Sequence, residues 1–412
     1  MEALEQVVRE EWGRLTALLL ARYRRLDLVE EAMGDAVEAA VTRWPRDGLP
    51  DNPSAWILTV ARRRILDRLR AEAMHLRKVP LLTVEAERRE ADQTVMADPG
   101  GLVEDDLLRL VLMCAHPALA PEAASALALR LVLGVSTHDI ARLFLVSEPT
   151  MAARITRAKR KVVGAAIPFA VPSAAELPAR LDTLTQVVYL AFTAGYAPSS
   201  GPDPVRAELA GEAIRLTRLV RGLVDAPALA ALLALMLLQH SRRDARVDAE
   251  GRLVLLPDQD RSRWHQGEID EALQLLDSPA LSGPLTPATA RYVVQARIAA
   301  EHATAPSAAD TRWDRVVAGY DVLLRLDPSP GAALARAVAV AEASGPEAGL
   351  RALDDVDLPA SHRPHAVRGE LLARLGRRDE AVQALETALS LCRNEAEREH
   401  LASRVRDLTA GP

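Results

Sequence analysis

The chain has 412 residues, more than one hydrophobic core ordinarily organises, so several domains are expected. Only 3% of residues are aromatic while Ala, Leu and Arg abound, which argues against a β-sandwich or barrel and for an all-α fold. A net charge of −6 rules out a globally basic coat, so any nucleic-acid surface must be local.

Cys114 and Cys392 lie far apart, as expected of reduced thiols in a cytoplasmic protein rather than a disulfide framework. The N-terminus carries Glu2, Glu5, Glu10 and Glu11 and has no apolar stretch of signal-peptide type. The longest uncharged apolar run, Ala226 to Leu238, contains Pro227 and is too short to span a bilayer; a buried helix is expected there, with no membrane partner.

Residues 3–24 read as a helix with Leu4, Val7, Val8, Leu15, Leu18 and Leu19 on its buried side. The next helix, Asp27 to Trp44, carries Asp27, Glu30, Glu31, Asp35 and Glu38 against one basic residue, Arg43. Such a charge run is either a solvated face or a docking face for a basic partner. The loop Pro45 to Pro53 is dense in turn formers. Ser54 is then expected to cap a helix from Ala55 to Arg70, with Ile57, Leu58, Ala61, Ile65 and Leu69 buried and Trp56, Arg63, Asp67 and Arg70 on the opposite side. Residues 79–104 read as a charged linker. Two apolar-periodic helices, Asp105 to Cys114 and Pro121 to Leu133, follow.

Gly134 to Val162 organises what surrounds it. Ser136 and Asp139 form an S-x-x-D capping pattern that opens a short helix carrying Ile140, Leu143 and Phe144. After the turn Leu145-Val146, a second helix opens at Ser147, with Pro149 in its first turn, where the missing N–H costs nothing. At about 100° per residue, Met151, Ile155, Ala158 and Val162 make one apolar stripe. Ser147, Thr150, Arg154, Arg157 and Lys161 share a polar, basic face beside it. This is a helix-turn-helix pattern whose second helix suits a DNA major groove. The plainer alternative is a helical hairpin with a solvated basic face.

The order of these pieces is specific. An acidic helix, a turn-rich loop, the phrase W-I-L-T-V-A-R-R-R-I-L-D-R-L-R over Trp56 to Arg70, a linker and a helix-turn-helix together resemble the extracytoplasmic-function group of RNA polymerase sigma factors, over about Leu4 to Val163. The resemblance implies that Asp27, Glu30, Glu31, Asp35 and Glu38 lie in region 2.2, which binds the polymerase core through its β′ subunit. It implies that Asn52, Ser54, Trp56, Arg62, Arg63, Arg64 and Arg68 serve the −10 element, by base contacts from the loop and phosphate contacts from the arginines. It further implies that Ser147, Thr150, Met151, Arg154, Arg157, Lys159, Arg160 and Lys161 serve the −35 element. Thr150, Arg154 and Arg157 suit base readout, and Lys159, Arg160 and Lys161 suit phosphate. Gly34 stands where family members commonly have Gln. The implied partners are core polymerase, through β′ and β, and promoter DNA.

The C-terminal half continues in helices after an extended linker, Ala165 to Pro172. Three related phrases recur, Gly267 to Leu276, Gly345 to Leu353 and Gly376 to Leu385, the last two 31 residues apart. That is near the ~34-residue tetratricopeptide (TPR) period, so a degenerate TPR-like array is expected, clearest from Trp313 to Leu408. The expected domains are 1–78 and 105–166 for sigma regions 2 and 4, joined by the linker 79–104, and 167–412 for the helical extension. Val188 to Gly201 and Leu256 to Trp264 resemble phrases of a sigma-factor subgroup whose TPR-containing extension modulates activity; here that implies a protein or peptide partner for the TPR-like part.

Asp258 and Asp260, with Tyr189, Tyr196 and Trp264, are the strongest candidates for a catalytic pocket, but an i, i+2 carboxylate pair more often caps a turn or pairs with neighbours such as Arg261 and Arg263. His362 and His365 can share a helix face, yet no Cys or third His lies near in sequence. No catalytic residue, metal ligand or cofactor is therefore expected. The competing functional readings are a stand-alone helix-turn-helix regulator with a TPR-like sensor, and a TPR scaffold with basic N-terminal helices.

Overall fold

The computed structural model describes residues 2–76, 100–144, 146–196, 207–248, 254–359 and 361–410. The expected linker lies almost wholly outside them, as do Leu145 of the turn and the end of the Val188 to Gly201 phrase. The described residues form an all-α protein that divides into two compact units, Met1–Arg142 with Val146–Val187, and Leu143–Leu145 with Val188–Pro412.

The first unit begins with α1 (Glu2–Tyr23), α2 (Leu26–Asp47) and α3 (Pro53–Leu76). Their shared core contains Trp12, Leu15, Leu19, Val29, Met33, Trp44, Ile57 and Ile65. Next come α4 (Gly100–Cys114), α5 (Pro121–Leu133), α6 (Thr137–Leu143) and α7 (Glu148–Gly164). Helix α1 packs on α4 and α5 as well as on α2 and α3, so it buries more than one stripe. Trp12, Thr16, Ala17 and Leu20 are buried beyond the positions its sequence periodicity marks. Close approach is achieved at Gly13, where a Cβ would stand 2.4 Å from the Val132 carbonyl oxygen. Helix α5 ends at Gly134, whose φ of 72° is the left-handed cap conformation, and the Trp12 ring covers it. Cys114 is fully buried in α4, the core role its apolar surroundings indicate.

The second unit takes up the end of α8 (Leu177–Tyr196), then α9 (Ala207–Leu223), α10 (Pro227–His240), α11 (Gln266–Leu276), α12 (Pro287–Ala303) and α13 (Trp313–Leu326). It is completed by α14 (Pro330–Ser344), α15 (Pro346–Leu353), α16 (Arg363–Arg374), α17 (Arg378–Leu391) and α18 (Glu395–Ala410). Helix α10 is the apolar run read from the sequence. It is buried from Ala228 to Leu238 and packs against α9, α11 and α12. Each buried Leu there is worth about 1.5–3 kcal/mol relative to exposure, so this helix anchors the unit. At its end, His240 and Arg243 both reach the Glu268 carboxylate, at 3.1 and 2.9 Å, tying α10 to α11. From α12 onward each helix packs on the next. The recurring phrases become α11, α15 and α17.

Candidate nucleic-acid interface

The helix-turn-helix forms from the local signals in its sequence. Ser136 Oγ accepts from the Asp139 N–H at 3.0 Å and donates to Asp139 Oδ2 at 2.7 Å, closing the N-terminus of α6. Ser147 is the N-cap of α7: its Oγ accepts from the Thr150 N–H at 3.4 Å and lies 2.7 Å from Thr150 Oγ1. Met151, Ile155, Ala158 and Val162 are buried as one stripe. Ser147, Thr150, Arg157, Arg160 and Lys161 are exposed and Arg154 is half-buried. Arg154, Arg157 and Lys161 line one cleft with Leu119, Ala120 and Glu122 at the start of α5. Among the reader residues named from the sequence, Met151 is corrected. It belongs to the stripe that docks α7 and is fully buried, so it offers nothing to a groove.

Helix α3 starts two residues earlier than expected, at Pro53 rather than Ala55. The cap is Asn52, not Ser54: Asn52 Oδ1 accepts from the Ala55 N–H at 3.0 Å, while Ser54 sits half-buried inside the first turn. Trp56 is also corrected. It does not lie opposite the buried stripe but packs partly buried against the core, edge-on to Trp44 with ring centroids 5.5 Å apart. Arg63 and Arg64 are exposed and Arg62 is half-buried. Arg68 turns to the acidic helix, pairing with Glu31 and, at 3.1 Å, with Asp35. Arg64 approaches the same Asp35 at 3.9 Å.

Residues 7–74 match the family described as Sigma-70 region 2, and residues 109–162 match Sigma-70, region 4. An uncharacterised protein of Rhizobium meliloti (strain 1021) is 42% identical over 398 residues, covering 96% of this chain and 93% of its own length. The chain belongs to the sigma-70 family, as an extracytoplasmic-function-like member. Residues 180–280 match a family of unknown function, DUF6596. No solved structure matches the chain. These sigma domains mark a transcription initiation factor, with promoter recognition as its task and polymerase core and promoter DNA as the implied partners. No helix of the described residues is long and apolar enough to cross a membrane.

Within this sigma factor the region 2 and region 4 helices share one unit, and Glu30 forms a polar link between them. It is 8% exposed, accepts from Arg130 Nε at 2.9 Å and pairs with Lys159. Burial alone would raise the Glu30 pKa, but Lys159 and then Arg130 outweigh it and hold the carboxyl below its ordinary range. Arg130 also lies over the Trp12 ring, 5.8 Å from its centroid. Two sequence readings change here. Glu30 is not presented on an open acidic face, and Lys159 is not aimed outward at phosphate; each satisfies the other. Asp27 is exposed and paired with Arg25 at 2.8 Å, which lowers its pKa, while Glu38 is exposed. A Cβ at Gly34 would meet no atom within 4 Å, so no close backbone approach requires glycine there.

The extension holds a cavity of about 550 Å³ whose polar lining includes Tyr189, Gln239, Arg242, Arg291, Gln295 and His302. Tyr189 Oη donates to Gln295 Oε1 at 3.3 Å, and Arg291 pairs with Asp327 at 3.1 Å. Burial, with the charges of Arg242 and Arg261, pushes His302 down to about 4, so it is neutral at pH 7. Asp260 caps a short turn, its Oδ1 accepting from the Ser262 N–H at 2.9 Å, and Trp264 is buried beside Arg261. Neither Asp258 nor Asp260 lines the cavity with Tyr189. The side chain of Tyr196 lies outside the described residues.

Proposed function

We propose that this chain is an alternative sigma factor that binds RNA polymerase core through β′ and β and directs initiation at a defined set of promoters from the cytoplasm. The observation that carries this reading is α7: a capped helix with its apolar stripe buried and Ser147, Thr150, Arg154, Arg157 and Lys161 along one accessible side. Arg154 and Arg157 read base edges, and Arg160 and Lys161 neutralise phosphate. Asn52, Arg62, Arg63 and Arg64 hold the opened −10 strand, with Ser54, Trp56 and Arg68 in supporting positions. Asp27, Glu31, Asp35 and Glu38 face the polymerase. The domain boundaries proposed are those read from the sequence, with 167–412 as a TPR-like extension.

Two features support regulation. Glu30 and Lys159 occupy each other, so polymerase and promoter engagement through these two residues requires their pair to open. The extension carries a cavity of mixed polar and apolar lining, and its helices are read as the docking region of a protein or peptide partner that adjusts activity. The test is reconstitution of the full chain with bacterial core polymerase, followed by run-off transcription on genomic fragments. Initiation at discrete sites is the expected result. Duplex binding without core binding would replace this reading with that of a stand-alone regulator. Deletion of residues 172–412 that leaves promoter binding and transcription unchanged would remove the regulatory role of the extension.

A further inference from the structure

We infer that the last three helices carry a zinc-class metal site formed by His362, Cys392 and Glu397. His362 immediately precedes α16, Cys392 immediately follows α17, and Glu397 lies in the first turn of α18. One ligand atom from each lies within 4.8 Å of the other two. His362 Nε2 is 2.8 Å from Glu397 Oε2, and Cys392 Sγ is 3.9 Å from that same oxygen. Donors at tetrahedral zinc distances stand about 3.3–3.8 Å apart, so the observed separations bracket what the ion needs. Rotation of side chains brings them into that range.

The donor set selects the ion. A thiolate, an imidazole and a carboxylate suit Zn²⁺ or Co²⁺ and are a poor match for Mg²⁺ or Ca²⁺, which take oxygen ligands. The surroundings orient the donors. Asn394 Oδ1 accepts from the Glu397 N–H at 3.0 Å and fixes the start of α18. Arg363 lies 3.6 Å from Glu397 Oε1, which leaves Oε2 to face His362 and Cys392. Cys392 is buried, while His362 and Glu397 are 18% and 27% exposed at their side chains, so the fourth position opens toward water. On binding, the Cys392 thiol gives its proton to solvent and its sulfur bonds the metal. The site would clip α16, α17 and α18 together. The sequence hid it because His362 lies far along the chain from Cys392 and Glu397; His365, the neighbour that sequence spacing offered, is not one of the three.

This inference concerns the end of the extension and stands apart from promoter binding. The test uses the full chain, stripped of metal by a chelator and titrated with Co²⁺. The expected result is one saturable equivalent with a thiolate-to-cobalt charge-transfer absorption, displaced by one equivalent of Zn²⁺. Cys392→Ser is expected to abolish that absorption, and His362→Ala to weaken Zn²⁺ binding tenfold or more. A Cys114→Ala chain, which keeps Cys392, is expected to retain it. Circular dichroism verifies that each variant is folded, and Glu397→Gln substitutes for any that is not. Absence of the charge-transfer absorption in the wild-type chain overturns the site, as does its persistence in folded Cys392→Ser.

Discussion

The two basic helices, α3 and α7, differ in where their cations go. On α7, Arg154, Arg157, Arg160 and Lys161 enter no ion pair among the described residues, and only Lys159 turns inward, to Glu30. On α3, Arg68 is held by Glu31 and Asp35, and Arg64 stands near Asp35. The difference follows from their neighbours. Helix α3 packs along the acidic α2, whereas α7 docks by an apolar stripe and the single Lys159–Glu30 pair, which leaves its other cations uncommitted. A basic count along a sequence therefore does not measure a basic surface; what lies across the helix interface decides it.

That contrast can be broken at several points. The largest expected effect is at Glu30. Glu30→Ala leaves Arg130 and Lys159 facing a partly buried gap, with about 2–3 kcal/mol lost from the first unit, measured by chemical denaturation. On α7, Arg154→Ala and Arg157→Ala are each expected to weaken binding to a −35 duplex by about 1–3 kcal/mol without changing stability. Arg160→Ala is expected to reduce the log–log salt slope of duplex binding by about 0.9, whereas Lys159→Ala lowers stability and leaves that slope in place. Arg68→Ala, which removes two solvent-accessible pairs, is expected to cost about 1 kcal/mol of stability.

A pH experiment sharpens the same comparison. Folding lowers the Glu30 pKa, so its contribution is fully present above the ordinary carboxyl pKa and is lost as pH falls through the lower folded value. Stability measured across that acid range is expected to lose this component in Glu30→Gln. An unchanged acid profile in the variant would show that the Glu30 cluster does not hold the region 2 and region 4 helices together.

Much of the candidate site was legible because its signals are local. Capping at Ser136 and Ser147, the Met151–Val162 stripe and the apolar run of α10 each depend on residues within a few turns of one another. Met151 belongs to the buried stripe by its own periodicity, which is incompatible with a reader role; helical geometry gives one side chain one face. The N-terminal helix was harder. Its periodicity marks one buried face, while the close approach at Gly13 makes sense only once Leu107 of α4 and Val132 of α5 are seen against it.

Composition, periodicity and caps by themselves determined an all-α chain, the helix-turn-helix and the buried α10, and the resemblance of the Trp56 to Arg70 phrase and its neighbours added the sigma-family order of parts. Tertiary structure alone decided that Glu30 meets Arg130 and Lys159, that Arg68 meets the acidic helix, and that His362, Cys392 and Glu397 converge. The physical reason is range. Helix formation and capping are governed by neighbours along the chain, whereas ion pairs and ligand sets depend on which faces the apolar packing brings together.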